Sequence, residues 1–379
     1  MSKPNFAPLK LFITGPTYIR DEAKQAALLP EFGHRDSEND LRMIPIRENM
    51  KKLAGTDGRY EVALLLGSGS TGMEAAVRSL VAEGETILNV SVGAFGDMFY
   101  NLAVANGKKA ENLKFEYGRP IDMNVLEDKL KSLKPEVVSF THNETSTGVI
   151  NDIKAVCALI RKHGAMPLVD GVSIYGGVDL DLDNSGAAIY LTATQKALGL
   201  SAGFGVAFIS EEAGAKAAKV TCKGHHHDLT KHLAAARKNQ TLTTPNCTLI
   251  NQMYVQLDYI VNEEGIGNRF ARHAEMRGMV EKWVAGLDGF EMFAPEGFRS
   301  PTLSTVVCPA GVTMAQLKEN VKEALRAEGY LMDPGYGKLN AALEKEGRPQ
   351  IIRIGHMGDI TPAMLSGYLD KLETALRNL

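Results

Sequence analysis

No window of the 379-residue sequence comes near the ~18 uninterrupted apolar residues that a membrane-spanning helix requires. The opening stretch, MSKPNFAPLKLFITGP, also lacks the apolar core of a secretory signal. Together these absences lead us to expect a cytoplasmic protein with no membrane partner. Cysteine is scarce as well: Cys157, Cys222, Cys247 and Cys308 stand far apart without a CxxC pair, which argues against a disulfide framework and reads as reduced thiols. An excess of either charge is missing. The 42 Lys plus Arg and 45 Asp plus Glu are interspersed and leave a net charge of −3, so no nucleic-acid partner is expected. Internal repeats and low-complexity tracts are also absent.

What remains is an ordinary globular composition, 44% hydrophobic and 23% charged. The length exceeds the roughly 250–300 residues at which one core stops growing, so more than one domain is expected. Short apolar runs alternate with helical patterns over the first two thirds: YEVALLLGSG, TGMEAAVRSLVAEG, ETILNVSVGAFG, PEVVSFTHNETSTG, INDIKAVCALIRKHG, AMPLVDGVS, AAIYLTATQK and GFGVAFIS. That rhythm predicts an α/β fold, a mainly parallel central sheet flanked by helices. The helix-rich stretch from about Thr248 to Leu287 suits a connector, and two strand-then-helix segments follow it. The chain therefore divides into an N-terminal arm at 1–20, a large domain at 21–259 and a smaller C-terminal α+β domain at 260–379.

Open parallel sheets bind ligands at the carboxyl ends of their strands. Ser68 to Gly72, Asn143 to Gly148, Asp170 and Lys196 each follow an apolar run directly, so four segments point at one crevice. GSGSTG, residues 67–72, follows a strand and opens a helix, and its N–H groups and helix dipole make an anion cradle. It also matches GxGxxG. The next strand, however, offers Asn89 and Ser91 instead of the acidic residue a dinucleotide site wants about 20 positions on, and no GK[ST] completes a nucleotide loop. A single phosphate fits better, with a tight glycine turn as the alternative.

Asp170 alone reads equally as a helix cap, and Lys196 alone as a snorkelling surface lysine. Taken together, an amine, a carboxylate and a phosphate cradle at three strand ends are the three anchors of pyridoxal 5'-phosphate (PLP). The amine bonds the cofactor covalently, the carboxylate keeps its pyridine nitrogen protonated and the cradle takes the phosphate.

The ordered set GSGSTGMEAA, SVGAFGDMF, HNETSTGVI, LVDGVSIYGG, TATQKALG and RIGHMGDI resembles the class V aminotransferases, fold-type I PLP enzymes that include alanine–glyoxylate, serine–glyoxylate and phosphoserine aminotransferases. The resemblance runs from ITGPT near residue 14 to RIGHMG near 355. It implies Lys196 and Asp170 as catalytic residues, Ser68, Gly69 and Ser70 as the phosphate loop, and Phe95 stacked on the cofactor ring. Thr145, Val172 and Gln195 match residues around the cofactor, and Arg353 matches the arginine that holds the substrate carboxylate. Thr243, in NQTLTTPN, aligns with a threonine that reaches the cofactor from the neighbouring subunit, which implies a homodimer with shared sites. Gln240 stands where some relatives carry tyrosine, and Ile174 where serine is common. The implied reaction moves an amino group from a small amino acid of alanine or serine type to a 2-oxo acid such as glyoxylate or pyruvate.

Two other readings accompany this one. EFGHRDSEND resembles the Gly-His-Arg motif with which phosphoserine aminotransferases bind substrate phosphate, which would make Arg35 a substrate ligand. Those enzymes usually carry Trp at the stacking position and a different lysine motif, so phosphoserine ranks second. Cysteine desulfurases of the class usually have His before the lysine and a mobile cysteine, whereas here Gln195 precedes Lys196 and Cys308 lies in the apolar run LSTVVCPAG. Finally, KGHHHDLTKH holds His225, His226, His227 and His232. Adjacent histidines in extended chain point to alternate sides, so a rim or surface segment is expected there and no metal site.

Overall fold

The computed structural model describes residues 8–379. The first seven residues of the expected N-terminal arm lie outside them. A seven-stranded sheet forms the centre, in the spatial order Tyr60–Gly67, Gly203–Ser210, Ile189–Ala193, Met166–Asp170, Val137–Thr141, Thr86–Ser91 and Lys109–Lys114. Gly203–Ser210 runs antiparallel to both of its neighbours, and every other pair is parallel. The expected mainly parallel sheet is therefore present. Its order also brings the carboxyl ends at Gly67, Ser91, Thr141, Asp170 and Ala193 to one edge.

The strands read as continuous apolar runs because both faces are covered. Val62 and Leu64 of the first strand pack into one core with Met43, Met50, Ile160 and Leu257. Ala63 and Leu65, pointing the other way, pack into a second with Met73, Val77, Phe99 and Leu233. The alternation follows directly from the two-residue period of a strand.

Beyond the sheet, Cys247–Asp258 and Ile266–Ala285 are joined by a π-helical turn at Tyr259–Gly265, so the expected connector is one nearly unbroken helical run. A three-stranded antiparallel sheet follows, Glu291–Met292, Leu303–Val307 and Ile351–Gly355. Its core includes Val306, Ile352, Ile354 and the helix residues Leu365, Tyr368 and Leu372. Phe12 belongs to the same core, its ring stacked on Tyr368 at a centroid distance of 4.0 Å, and Lys10–Leu11 pairs with Tyr330–Leu331. The described part of the N-terminal arm is thus docked on the C-terminal region. No helix among the described residues is long and apolar enough to cross a membrane.

Candidate active site

The helix Gly69–Leu80 starts where the first sheet strand ends. The Ser68 N–H donates to Thr71 Oγ1 at 3.3 Å, which closes the turn, while Ser68 Oγ lies 3.0 Å from Ser70 Oγ. The Thr71 N–H donates to the Ser68 carbonyl at 3.0 Å, while the Gly69 and Ser70 N–H groups have no intrahelical acceptor, so an anion is favoured there. Gly69 is required by contact: a Cβ on it would lie 2.5 Å from the Val172 side chain. That contact joins the loop to the turn after Asp170.

Asp170 ends its strand with its side chain buried. It accepts one hydrogen bond, from the Val172 N–H at 2.9 Å. Burial pushes its carboxyl up to about 7, against the opposing pull of that hydrogen bond. Such a carboxylate is stabilised by a cationic N–H brought to it.

Lys196 lies in the loop between the neighbouring strand Ile189–Ala193 and Gly203–Ser210. Its amine is buried and donates to the Thr14 carbonyl. Desolvation first, and the Arg353 charge second, lower it to about 8. Gly15, at φ +119, passes so close that a Cβ would meet Lys196 Nζ at 2.5 Å. An amine in this state is unprotonated often enough near neutrality to act as a nucleophile or base.

Phe95 lies in the first turn of the helix Ala94–Ala105. The buried Glu144 carboxylate caps that turn, accepting from Phe95 N–H at 3.1 Å and Gly96 N–H at 3.0 Å. It also accepts from Ser146 N–H at 3.0 Å and Ser146 Oγ at 2.6 Å. The Phe95 ring faces Tyr336 at 6.3 Å, and both line a cavity of about 630 Å³ open to solvent.

Arg353, on Ile351–Gly355, donates through Nη1 to the Thr145 carbonyl at 3.0 Å. Its Nη2 lies 3.0 Å from Asp333 Oδ2, and Nε is buried without a partner. Asp333 also accepts from Thr14 Oγ1 at 3.1 Å and from Gly335 N–H at 3.0 Å. Chemically, the arrangement offers an anion cradle, an unmatched buried carboxylate, a desolvated amine and a guanidinium with a free N–H.

Residues 22–355 match the aminotransferase class-V family. The chain belongs to that family. This class-V aminotransferase is 32% identical over 376 residues to an uncharacterized aminotransferase of Methanocaldococcus jannaschii, covering 97% of this chain and 93% of that one. It is 29% identical over 380 residues to an L-aspartate–glyoxylate aminotransferase of Paracoccus denitrificans, covering 97% and 91%. The pyridoxamine–pyruvate aminotransferase of Mesorhizobium loti has the same fold, with a TM-score of 0.87 at 27% identity over 100% of this chain and 94% of that one. The fold is that of the fold-type I aminotransferases.

Within this class-V aminotransferase the contacts above form two groups: Ser68, Gly69 and Ser70 with Val172 and Asp170, and Lys196, Arg353, Thr145 and Phe95 connected through Thr14, Asp333 and Glu144, with Gln195 next to Lys196 in the chain. Gln195 Oε1 is buried without a partner. Arg35 and Thr243 belong to neither group. The Arg35 guanidinium donates to Gln240 Oε1 at 2.6 Å and to the Thr241 carbonyl at 3.2 Å, and the Thr243 carbonyl accepts from Thr241 Oγ1. Arg35 therefore contacts the stretch of chain that carries Thr243.

The histidines also divide: His225 lies 3.2 Å from Lys231 Nζ, His227 faces Glu74, and His232 is buried with Nε2 2.9 Å from the His226 carbonyl. Sequence reasoning placed Glu144 at the crevice within Asn143 to Gly148 without giving it a role, and missed Asp333 and Thr14. Only Glu144 carried a signal, as the charged residue inside HNETSTG between an apolar run and a Gly.

Proposed function

We propose that this enzyme is a PLP-dependent aminotransferase that moves an amino group from a small amino acid of alanine or serine type to a 2-oxo acid such as glyoxylate or pyruvate. It would work in the cytoplasm as a homodimer, with Thr243 reaching the partner's site and the domains meeting near residue 260. The observation that carries the reading is the pair of desolvated groups on adjacent strand ends. Asp170 is buried with a single N–H partner, and Lys196 is half-buried with a single carbonyl partner for its amine.

The residues present fit the cofactor: the helix N-terminus at Ser68–Ser70 suits its phosphate, the Phe95 ring its face, Asp170 its pyridine nitrogen and Lys196 its aldehyde. Bound there, PLP supplies an aldehyde that bonds amines and a ring that takes up the electrons left when a substrate Cα–H bond breaks. Lys196 then moves the proton at substrate Cα. Asp170 holds the proton on the pyridine nitrogen, and Arg353 orients the substrate through its carboxylate.

Asp333 supports small monocarboxylate donors, because its charge already sits on Arg353 and disfavours a second substrate carboxylate nearby. The buried Cys308 thiol, pushed up to about 12 by burial, does not suit desulfurase chemistry. Kinetics of alanine, serine, aspartate and phosphoserine against glyoxylate, pyruvate and 2-oxoglutarate test the reading. Alanine or serine should exceed the two acidic donors in kcat/KM by about 10-fold or more. A preference for phosphoserine that disappears in Arg35→Ala would overturn it in favour of a phosphoserine enzyme.

Arg353→Lys keeps the charge and loses the planar fork. A fall in kcat/KM of about 10²-fold is expected for amino and oxo acids alike, since both present the same carboxylate. Near-normal kcat/KM with a lowered Tm would instead make the Asp333 ion pair the arginine's whole role.

A further inference from the structure

Three consecutive carbonyls at and after Lys196 each accept a side-chain hydrogen bond. The Lys196 carbonyl accepts from Thr17 Oγ1 at 3.0 Å, the Ala197 carbonyl from Arg269 Nη2 at 2.6 Å, and the Leu198 carbonyl from Gln256 Nε2 at 2.9 Å. Two of these donors converge on Asp359: Arg269 Nη1 lies 3.0 Å from Oδ1 and Gln256 Nε2 lies 2.8 Å from Oδ2.

Arg269 is fully buried, and each part of its guanidinium faces a different trailing segment. Nε donates to the Gly176 carbonyl at 3.1 Å, in the loop that follows Asp170. Nη2 takes the carbonyl next after Lys196. Nη1 meets Asp359, in the loop that follows the strand of Arg353, and also Glu264 Oε2 at 2.7 Å. A buried ion pair is weak evidence for stability, since apolar side chains of the same volume often fill such a space as well or better. Its N–H groups, however, have fixed directions, and here they fall on two backbone carbonyls and one side chain in the segments that follow Asp170, Lys196 and Arg353.

We propose that Arg269, with Gln256 and Asp359, is a positioning hub that holds the Lys196 loop in register with Asp170 and with Arg353. The proposal rests on the functional reading of those three residues given above. None of the hub residues is among the groups placed against cofactor or substrate, so the effect runs through geometry. A loop that slips lets water reach the Lys196 nitrogen, which then holds its proton more firmly.

The test uses the full-length PLP-loaded protein and two variants. Asp359→Asn keeps the shape and removes one of the two carboxylate charges that answer Arg269, leaving Glu264. Gln256→Met removes the hold on Leu198 without altering charge, and it carries the test if the first variant does not fold. In both, kcat for the best donor should fall, by about 10-fold in Asp359→Asn and less in Gln256→Met, with KM changing less than about threefold. The pH midpoint of the visible absorbance band should move to higher pH by about half a unit or more in Gln256→Met, where no charge has been changed. Unchanged kcat and absorbance midpoint in both variants, with only Tm lowered, would make the cluster purely structural and overturn the hub. A raised KM at constant kcat would overturn it equally. Wild-type protein that takes up no PLP would sink the proposed function itself, and the hub with it.

Discussion

Lys196→Ala is expected to lower single-turnover transamination by about 10⁴-fold or more, because in the proposed function one side chain would serve as both the covalent attachment point and the proton carrier. The burial that holds the amine down at about 8 is what suits it to both tasks. The protein should stay folded, since the amine makes a single hydrogen bond, to the Thr14 carbonyl, and its desolvation is a cost that alanine removes. Added PLP should still bind through the Ser68–Ser70 cradle and Asp170. A small primary amine such as ethylamine, supplied in solution, should restore part of the rate by occupying the space beneath Gly15. Turnover within about tenfold of the parent enzyme would remove Lys196 from the chemistry.

Asp170→Asn is expected to reduce kcat by about 10³-fold with KM little changed, since removing one partner of a buried charge pair costs about 3–5 kcal/mol. Asparagine can still accept the Val172 N–H, so the turn and the contact with Gly69 remain. What it cannot do is favour a proton on a neighbouring ring nitrogen. In the free protein the carboxyl sits at about 7, and a cation brought against it favours the ionised form, so the charge is present when it is needed. Kinetics on the variant separate the two roles: kcat within about threefold of the parent would make Asp170 a turn residue only.

The sheet was legible because its central strands are covered on both faces and so appear as apolar runs, Val137–Thr141 and Ile189–Ala193 being buried throughout. Lys109–Lys114 escaped the same reading because it is an edge strand whose residues are exposed or half-buried, and its sequence KAENLK carries no apolar run. The helix Ser37–Ala54 was hidden by Pro45 in its interior. At the site, Lys196 and Asp170 were singled out because Asp170 is a polar residue closing one buried strand and Lys196 follows close after another.

Asp333, Asp359 and Arg269 gave no such sign. An arginine within NRFARHAEMRG looks like any solvated helix residue, and its burial is decided largely by partners far away in sequence, Gly176, Ala197 and Asp359. Arg35 and Thr243 entered through resemblance alone, and in the structure Arg35 contacts Gln240 and Thr241, beside Thr243.

The hydrogen bond from Thr14 to Asp333 spans 319 positions of sequence, and the one from Lys196 to Thr14 spans 182. A chain emerging from the ribosome can pair the strands between Tyr60 and Ser210 long before Asp333, Arg353 and Asp359 have been made. Contacts of such long range close late, after the local ones have formed. The reactive amine therefore acquires its enclosure last, and the nascent large sheet must persist without the bonds that later fix its ligand pocket. Truncations at the far end of the chain reach the chemistry as directly as changes beside Lys196.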